Sequence, residues 1–162
     1  MNLRNTYPTT IAHYVFVLWG DTFDEDVATI FTTEARRMGL HVQMVGLIGL
    51  QAVGNYGITM VTDIPLGQAL PLADNAICIV IPCGAATLQR VEDDPRLYEF
   101  LQRASTNDPL FVVRSPETVK SSALQTLTTT ASEFSFYKDY QNLIESARKI
   151  ATTLATRVAT AK

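Results

Sequence analysis

The chain has 162 residues, 47% of them apolar and 18% charged, with a net charge of −3 and a pI near 5.3. That length suits one domain with a proper core, and the composition argues against disorder. No basic block invites nucleic acid, no apolar run approaches the roughly 20 residues that span a bilayer, and two cysteines do not make a disulfide framework.

Residues 1–12 are polar, contain Pro8 and read as a tail; lacking the apolar core of a secretory signal, they leave a cytoplasmic location as the expectation. Residues 14–19, YVFVLW, form an unbroken apolar run rich in β-branched and aromatic side chains, the pattern of a strand covered on both faces. Gly20 allows a sharp turn, and Asp21, Asp24, Glu25 and Asp26 gather where a helix N-terminus favours negative charge. Val27, Ile30, Phe31, Ala35 and Met38 recur at helical spacing, which predicts a helix over 24–38, closed by Gly39 as a left-handed cap.

Residues 40–45 read as the second strand. Gly46, Gly49, Gly54 and Gly57 then punctuate a stretch to Asp63 that predicts a β-hairpin arm. A weak helical turn follows among Pro65, Gly67 and Pro71. Residues 76–81, AICIVI, are a third, fully buried strand, and Pro82-Cys83-Gly84 is its turn. A helix opens at 87–91, breaks near Pro95 and continues over 96–104. The fourth strand is 110–113. Ser115 and Pro116 suit the N-cap and first position of a helix over 117–127. A polar link covers 128–132, a short strand 133–137, and a long amphipathic helix 139–159.

Strands alternating with helices imply a parallel sheet with helices on both faces. Right-handed crossovers make it a flavodoxin-like doubly wound sheet, its four main strands ordered 2-1-3-4. The turns at 20–25, 82–84 and 114–116 then meet where the strand order reverses, the place where such sheets carry their sites.

Three groups of residues carry a resemblance: 15–25; ARRMGLHV at 35–42 with Val45-Gly46-Leu47; and GITMVTD at 57–63 followed by 74–84. Together they resemble the ThiJ/PfpI family of the class I glutamine amidotransferase-like superfamily, in order and over about residues 14–115. The resemblance implies a cysteine on a strained turn, a glutamate bonded to it, and an oxyanion site in a Pro-Gly-Gly turn. Glu25 matches the glutamate and Gly84 the oxyanion glycine, while Cys83 replaces the preceding glycine. The cysteine position falls on Arg114, or on Ser115 if the register slips by one; neither is a thiol. The chain is also expected to be shortened at its C-terminal side, with no counterpart of the family's usual histidine-bearing segment.

The resemblance therefore implies a scaffold without its thiol chemistry, binding a small molecule or a protein at a pocket of Asp24, Glu25, Cys83, Gly84, Arg114 and Ser115. In this reading the Arg114 guanidinium points toward Glu25 and forms a two-pronged pair with it, fit for a small anionic ligand. A simpler reading leaves Arg114 at a partly exposed strand end and Glu25 as an ordinary helix-start acid. The alternative is a hydrolase- or glyoxalase-like enzyme using Cys83 with Glu25, the thiol activated near a helix N-terminus. A third reading is a structural or assembly protein carried by the arm at 46–63. Ser115 lacks a base, because His13 and His41 lie at the amino ends of their strands. No metal-ligand spacing, dinucleotide fingerprint or P-loop occurs, so no metal and no cofactor are expected. A homodimer is expected by the resemblance.

Overall fold

The computed structural model describes residues 11–129 and 133–161. Residues 1–10 of the expected tail and 130–132 of the expected link lie outside them. In chain order the strands are β1 (Tyr14–Trp19), β2 (His41–Gly46), β3 (Gln51–Val53), β4 (Thr59–Val61), β5 (Ile64–Pro65), β6 (Ala76–Ile81), β7 (Leu110–Val113) and β8 (Glu133–Phe136). The α-helices are α1 (Glu25–Arg37), α2 (Leu66–Ala69), α3 (Ala85–Arg90), α4 (Pro95–Ser105), α5 (Pro116–Lys120) and α6 (Leu143–Thr160).

Six strands form a sheet ordered β5-β2-β1-β6-β7-β8, with every pairing parallel. The expected order of the four main strands is its centre, β2-β1-β6-β7. Residues 133–136 are a full member of the sheet, paired with β7 from Leu110↔Glu133 to Val113↔Phe136. Strand β5, which the sequence reading passed over, closes the opposite edge. The arm is a separate antiparallel pair, β3 with β4.

Helices cover both faces. Helices α1 and α6 pack on each other on one side, while α4 packs with α2 and the 3-10 turn at Leu70–Asn75. Residues Val15 to Trp19 are buried throughout, as the apolar run requires. Phe16 meets Phe100 of α4 edge-on at 5.1 Å between ring centres. Gly39 takes φ +76° after α1, the left-handed cap its position predicts.

Two helix boundaries differ from expectation. The helix expected over 117–127 ends at Lys120 and resumes as a 3-10 helix, Ala123–Thr129. The Ser122 hydroxyl causes the break: it donates to Thr118 O and accepts from Leu124 N–H, competing with the helical ladder. The last helix starts at Leu143, not 139, because the Asn142 side chain accepts from Glu145 N–H and caps it. A 3-10 turn, Tyr137–Asp139, occupies the preceding stretch.

Candidate functional site

The strand order reverses between β1 and β6, and in sheets of this kind the carboxyl ends at such a switch point are where sites are carried. Asp24 sits there at the N-cap position of α1, yet its carboxylate does not cap the helix. Its backbone N–H is tied to Pro82 O at 2.6 Å, which holds the β1 loop against the β6 turn. The side chain is then free to reach the end of β7.

Arg114 follows β7. Its Nε donates to Asp24 Oδ2 at 3.2 Å, and its Nη2 donates to Oδ1 and Oδ2 at 3.0 and 2.9 Å. This is the two-pronged geometry that makes arginine–carboxylate pairs strong. Tyr137, just beyond β8, donates its hydroxyl to Asp24 Oδ2, and Asn55 from the arm donates its Nδ2 to Oδ1 at 2.8 Å. Lys138 N–H donates to Arg114 O at 3.0 Å and fixes the end of β8 beside that of β7. One carboxylate thus joins the ends of β7 and β8, the arm, and the start of α1.

The guanidinium lies directly over Gly84. A Cβ at Gly84 would stand 2.4 Å from Arg114 Nη1, so only glycine admits the arginine in this position. Partial burial disfavours the guanidinium's charge, but the bonds to Asp24 outweigh it and Arg114 is held above its ordinary pKa. Burial, and then the neighbouring Asp24 carboxylate, hold the Tyr137 phenol well above its ordinary value, so it stays a hydrogen-bond donor.

The expected pair between Arg114 and Glu25 is not formed. Glu25, the first residue of α1, is buried and turned to the arm: its Oε1 accepts Tyr56 N–H at 2.7 Å and Ile58 N–H at 3.4 Å. Its Oε2 is buried and meets no hydrogen-bond partner among the described residues. Asp24, one residue earlier, is still outside the helix and faces the other way, so it takes the arginine. Adjacent positions at a helix start point in different directions, and spacing alone did not say which acid faces inward.

Cys83 is fully buried beside the same loops. Burial pushes its thiol up to about 12, although Arg114 pulls the other way. Desolvation of this kind favours the protonated thiol and opposes the expected activation by a helix N-terminus. Cys78, likewise buried within β6, is pushed up to about 12. Ser115 stands at the N-cap position of α5, but its hydroxyl does not cap the helix and, among the described residues, meets Thr118 Oγ1 at 3.4 Å. Among the described residues no group of three or more His, Cys, Asp or Glu side chains is placed to hold a metal ion, and no helix is long and apolar enough to cross a membrane.

The structure thus brings together Asp24, Arg114, Gly84 and Cys83, with Ser115 next in the chain, and separates off Glu25. Sequence reasoning missed Tyr137 and Asn55. The signal for Tyr137 was the stretch 133–137: counted as the sheet's last strand, its end falls beside Arg114. Asn55 carries no signal, because its partner depends on how the arm folds back over the loop after β1.

The chain has the fold of DJ-1/ThiJ/PfpI-like proteins, a parallel sheet flanked by helices on both faces. Among solved structures, the chain is similar to a DJ-1 superfamily protein of Salmonella typhimurium, at 19% identity over 91% of each chain with a TM-score of 0.64. It is also similar to Drosophila melanogaster DJ-1beta (16%, covering 93% of this chain and 97% of that one, TM-score 0.65) and to oxidized Toxoplasma gondii DJ-1 (16%, 92% and 97%, TM-score 0.66). The expected C-terminal shortening is not seen against these three, of whose chains 91 to 97% are covered. No family model matches the sequence, and no curated protein matches it.

Proposed function

We propose that this protein is a non-catalytic DJ-1/ThiJ/PfpI-like protein that binds a small anionic ligand at the Asp24–Arg114–Gly84 centre, and that it acts as a cytoplasmic homodimer. The observation that carries this reading is the Arg114 guanidinium, locked on Asp24 and seated over Gly84. By the resemblance, that position belongs to a nucleophilic sulfur. A fixed cation held by a neighbouring carboxylate offers an anion charge and orientation, but no electron pair with which to attack it. Asp24, Cys83, Gly84, Arg114 and Ser115 form the ligand's surroundings, and Glu25 supports them through the arm.

The thiol-dependent alternative requires Cys83 as nucleophile and Glu25 as its partner. A buried thiol held near 12 is protonated at neutral pH, and Glu25 spends Oε1 on the arm's backbone. A binding role through a protein partner at the same centre would use the same residues.

The test joins calorimetry with turnover. Wild-type protein is titrated with acetate and with inorganic phosphate, and Arg114→Met is titrated alongside. Saturable binding that weakens at least about tenfold in the variant is expected; a wild type that takes up neither anion sinks the ligand reading. The same preparations are assayed with a p-nitrophenyl ester and with a 2-oxoaldehyde. No turnover is expected, and Cys83 is expected to resist iodoacetamide at pH 7 until the chain is unfolded. A rate that Cys83→Ser abolishes would establish the thiol enzyme instead.

A further inference from the structure

Strand β8 divides its side chains unevenly between its two faces. Phe134 lies on Phe111 at 5.2 Å between ring centres, and Phe136 follows on the same side, 6.5 Å from Phe134. Successive strand residues alternate faces, so Glu133 and Ser135 turn the other way, toward α6. The register sets Leu110 beside Glu133 and Val112 beside Ser135. The last strand of the sheet thus offers its covering helix a carboxylate and a hydroxyl where two apolar side chains would fill the space.

Helix α6 meets that face with two rows. Residues four apart share one side of a helix, so Ile150 and Leu154 form one row and Lys149, Thr153 and Arg157 the next. Ile150 is half-buried and Leu154 buried, whereas the three polar residues are exposed. Between helix and strands lies a cavity of about 220 Å³, with Leu110, Ile150 and Leu154 as its apolar lining and the polar residues of β8 and α6 completing it. Arg157 Nη2 stands 3.9 Å from Glu133 Oε2, so those two charges offset each other. The Ser135 hydroxyl meets that of Tyr140, and Thr153 Oγ1 donates to Lys149 O at 3.0 Å. The Lys149 ammonium forms no ion pair among the described residues, which leaves the cavity with one positive charge in excess.

The size and the charge together select an occupant. An apolar cavity of about 150 Å³ holds benzene, so this one has room for a ring of that size with a charged group attached. One excess cation matches a monoanion, and a neutral molecule would leave it unpaired.

We propose that this cavity is a second binding site, which takes a monocarboxylate with a small apolar body, such as an aromatic acid. The body rests on Leu110, Ile150 and Leu154, and the carboxylate pairs with Lys149. Leu110 and Glu133 are the first residues of β7 and β8, whereas Arg114 follows the last residue of β7. The site therefore lies at the opposite strand ends from the Arg114 centre, about 13 Å away along β7. Binding here does not depend on the anion site there.

Nuclear magnetic resonance of the isotope-labelled full chain tests it. Benzoate is titrated into wild type, Arg114→Met, Lys149→Met and Thr153→Phe, and neutral benzamide into wild type. Thr153→Phe keeps every charge and fills the cavity from an exposed helix position. Saturable shifts of the Leu110, Ser135, Ile150 and Leu154 amides are expected in wild type, and the same shifts in Arg114→Met. The dissociation constant is expected to rise at least about tenfold for benzamide, and for benzoate in Lys149→Met and Thr153→Phe. No saturable shift at those amides in wild type overturns the site. Shifts centred on Arg114 and abolished in Arg114→Met place benzoate at the anion centre instead, which supports that centre and overturns the second site. Benzamide binding as tightly as benzoate overturns the pairing of the carboxylate with Lys149. Where a variant loses the native amide spectrum, the wild-type shift map and the benzamide comparison decide.

Discussion

Asp24 and Asp26 are both aspartates at the start of one helix, and their surroundings separate them. Asp26 is exposed and its Oδ1 meets Val27 N–H, an ordinary use of a helix-start acid. Asp24 accepts from Arg114, Tyr137 and Asn55, which come from three distant parts of the chain. Asp24→Asn removes the negative charge and leaves a half-buried guanidinium without its counter-ion. It is expected to lower the unfolding free energy by about 1.5–3 kcal/mol, the worth of hydrogen bonds to charged groups. Asp26→Asn is expected to stay within about 0.5 kcal/mol, as surface changes usually do. Urea unfolding of both variants measures the contrast, and equal effects would make Asp24 an ordinary helix-start acid. Sequence reading placed both acids at this helix start. It did not distinguish them, because the difference lies in groups 90 and 113 residues away.

The arm is the element whose existence was legible and whose attachment was not. Glycine spacing and the ITMV stretch announce a hairpin, and β3 with β4 form one. The loop after β1 then binds the hairpin along its length: Asp21 with Val53, Phe23 O with Asn55 N–H, and Glu25 with Tyr56 and Ile58. Gly54 is where the two surfaces touch. A Cβ there would stand 2.2 Å from the Glu25 carboxyl, whereas one at Gly49 would meet nothing within 4 Å. Gly54→Ala must push the carboxylate off the arm and is expected to cost about 1–3 kcal/mol, as overpacking does. Gly49→Ala is expected to change stability by less than about 0.5 kcal/mol. Amide hydrogen exchange at Tyr56 and Ile58 gives the local reading: protection falls in Gly54→Ala and holds in Gly49→Ala. Unchanged protection in both would remove Glu25 as the arm's anchor.

Across the whole molecule, burial holds protons on several acids at once. Cys78 and Cys83 rise from 9.0 to about 12, and Tyr137 and Tyr140 are raised above 10.0. In the unfolded chain these groups ionise at their ordinary values; in the folded chain they do not. Above pH 9 the unfolded state therefore binds fewer protons than the folded one, so stability falls as pH rises. The fall is expected to begin with the thiols near pH 9 and steepen as the tyrosines join beyond pH 10. Urea unfolding from pH 7 to 11 checks it. Replacing Cys78 and Cys83 together by alanine is expected to delay the onset, and a wild-type curve flat to pH 11 would contradict the buried, protonated state of all four groups.

Local pattern was enough to determine the strands at 14–19, 76–81 and 110–113, the helices between them and the parallel doubly wound sheet. Burial on both faces writes itself as an unbroken apolar run, and a buried helix face as a 3.6-residue period. It also placed Asp24, Gly84 and Arg114 on loops that meet at the switch point. Only the tertiary structure decided that Arg114 chooses Asp24 over Glu25, that Tyr137 completes the centre, and that Cys83 is sealed from solvent. Those outcomes depend on side-chain direction and on contacts between distant segments, and a one-residue step along a helix start is enough to reverse them.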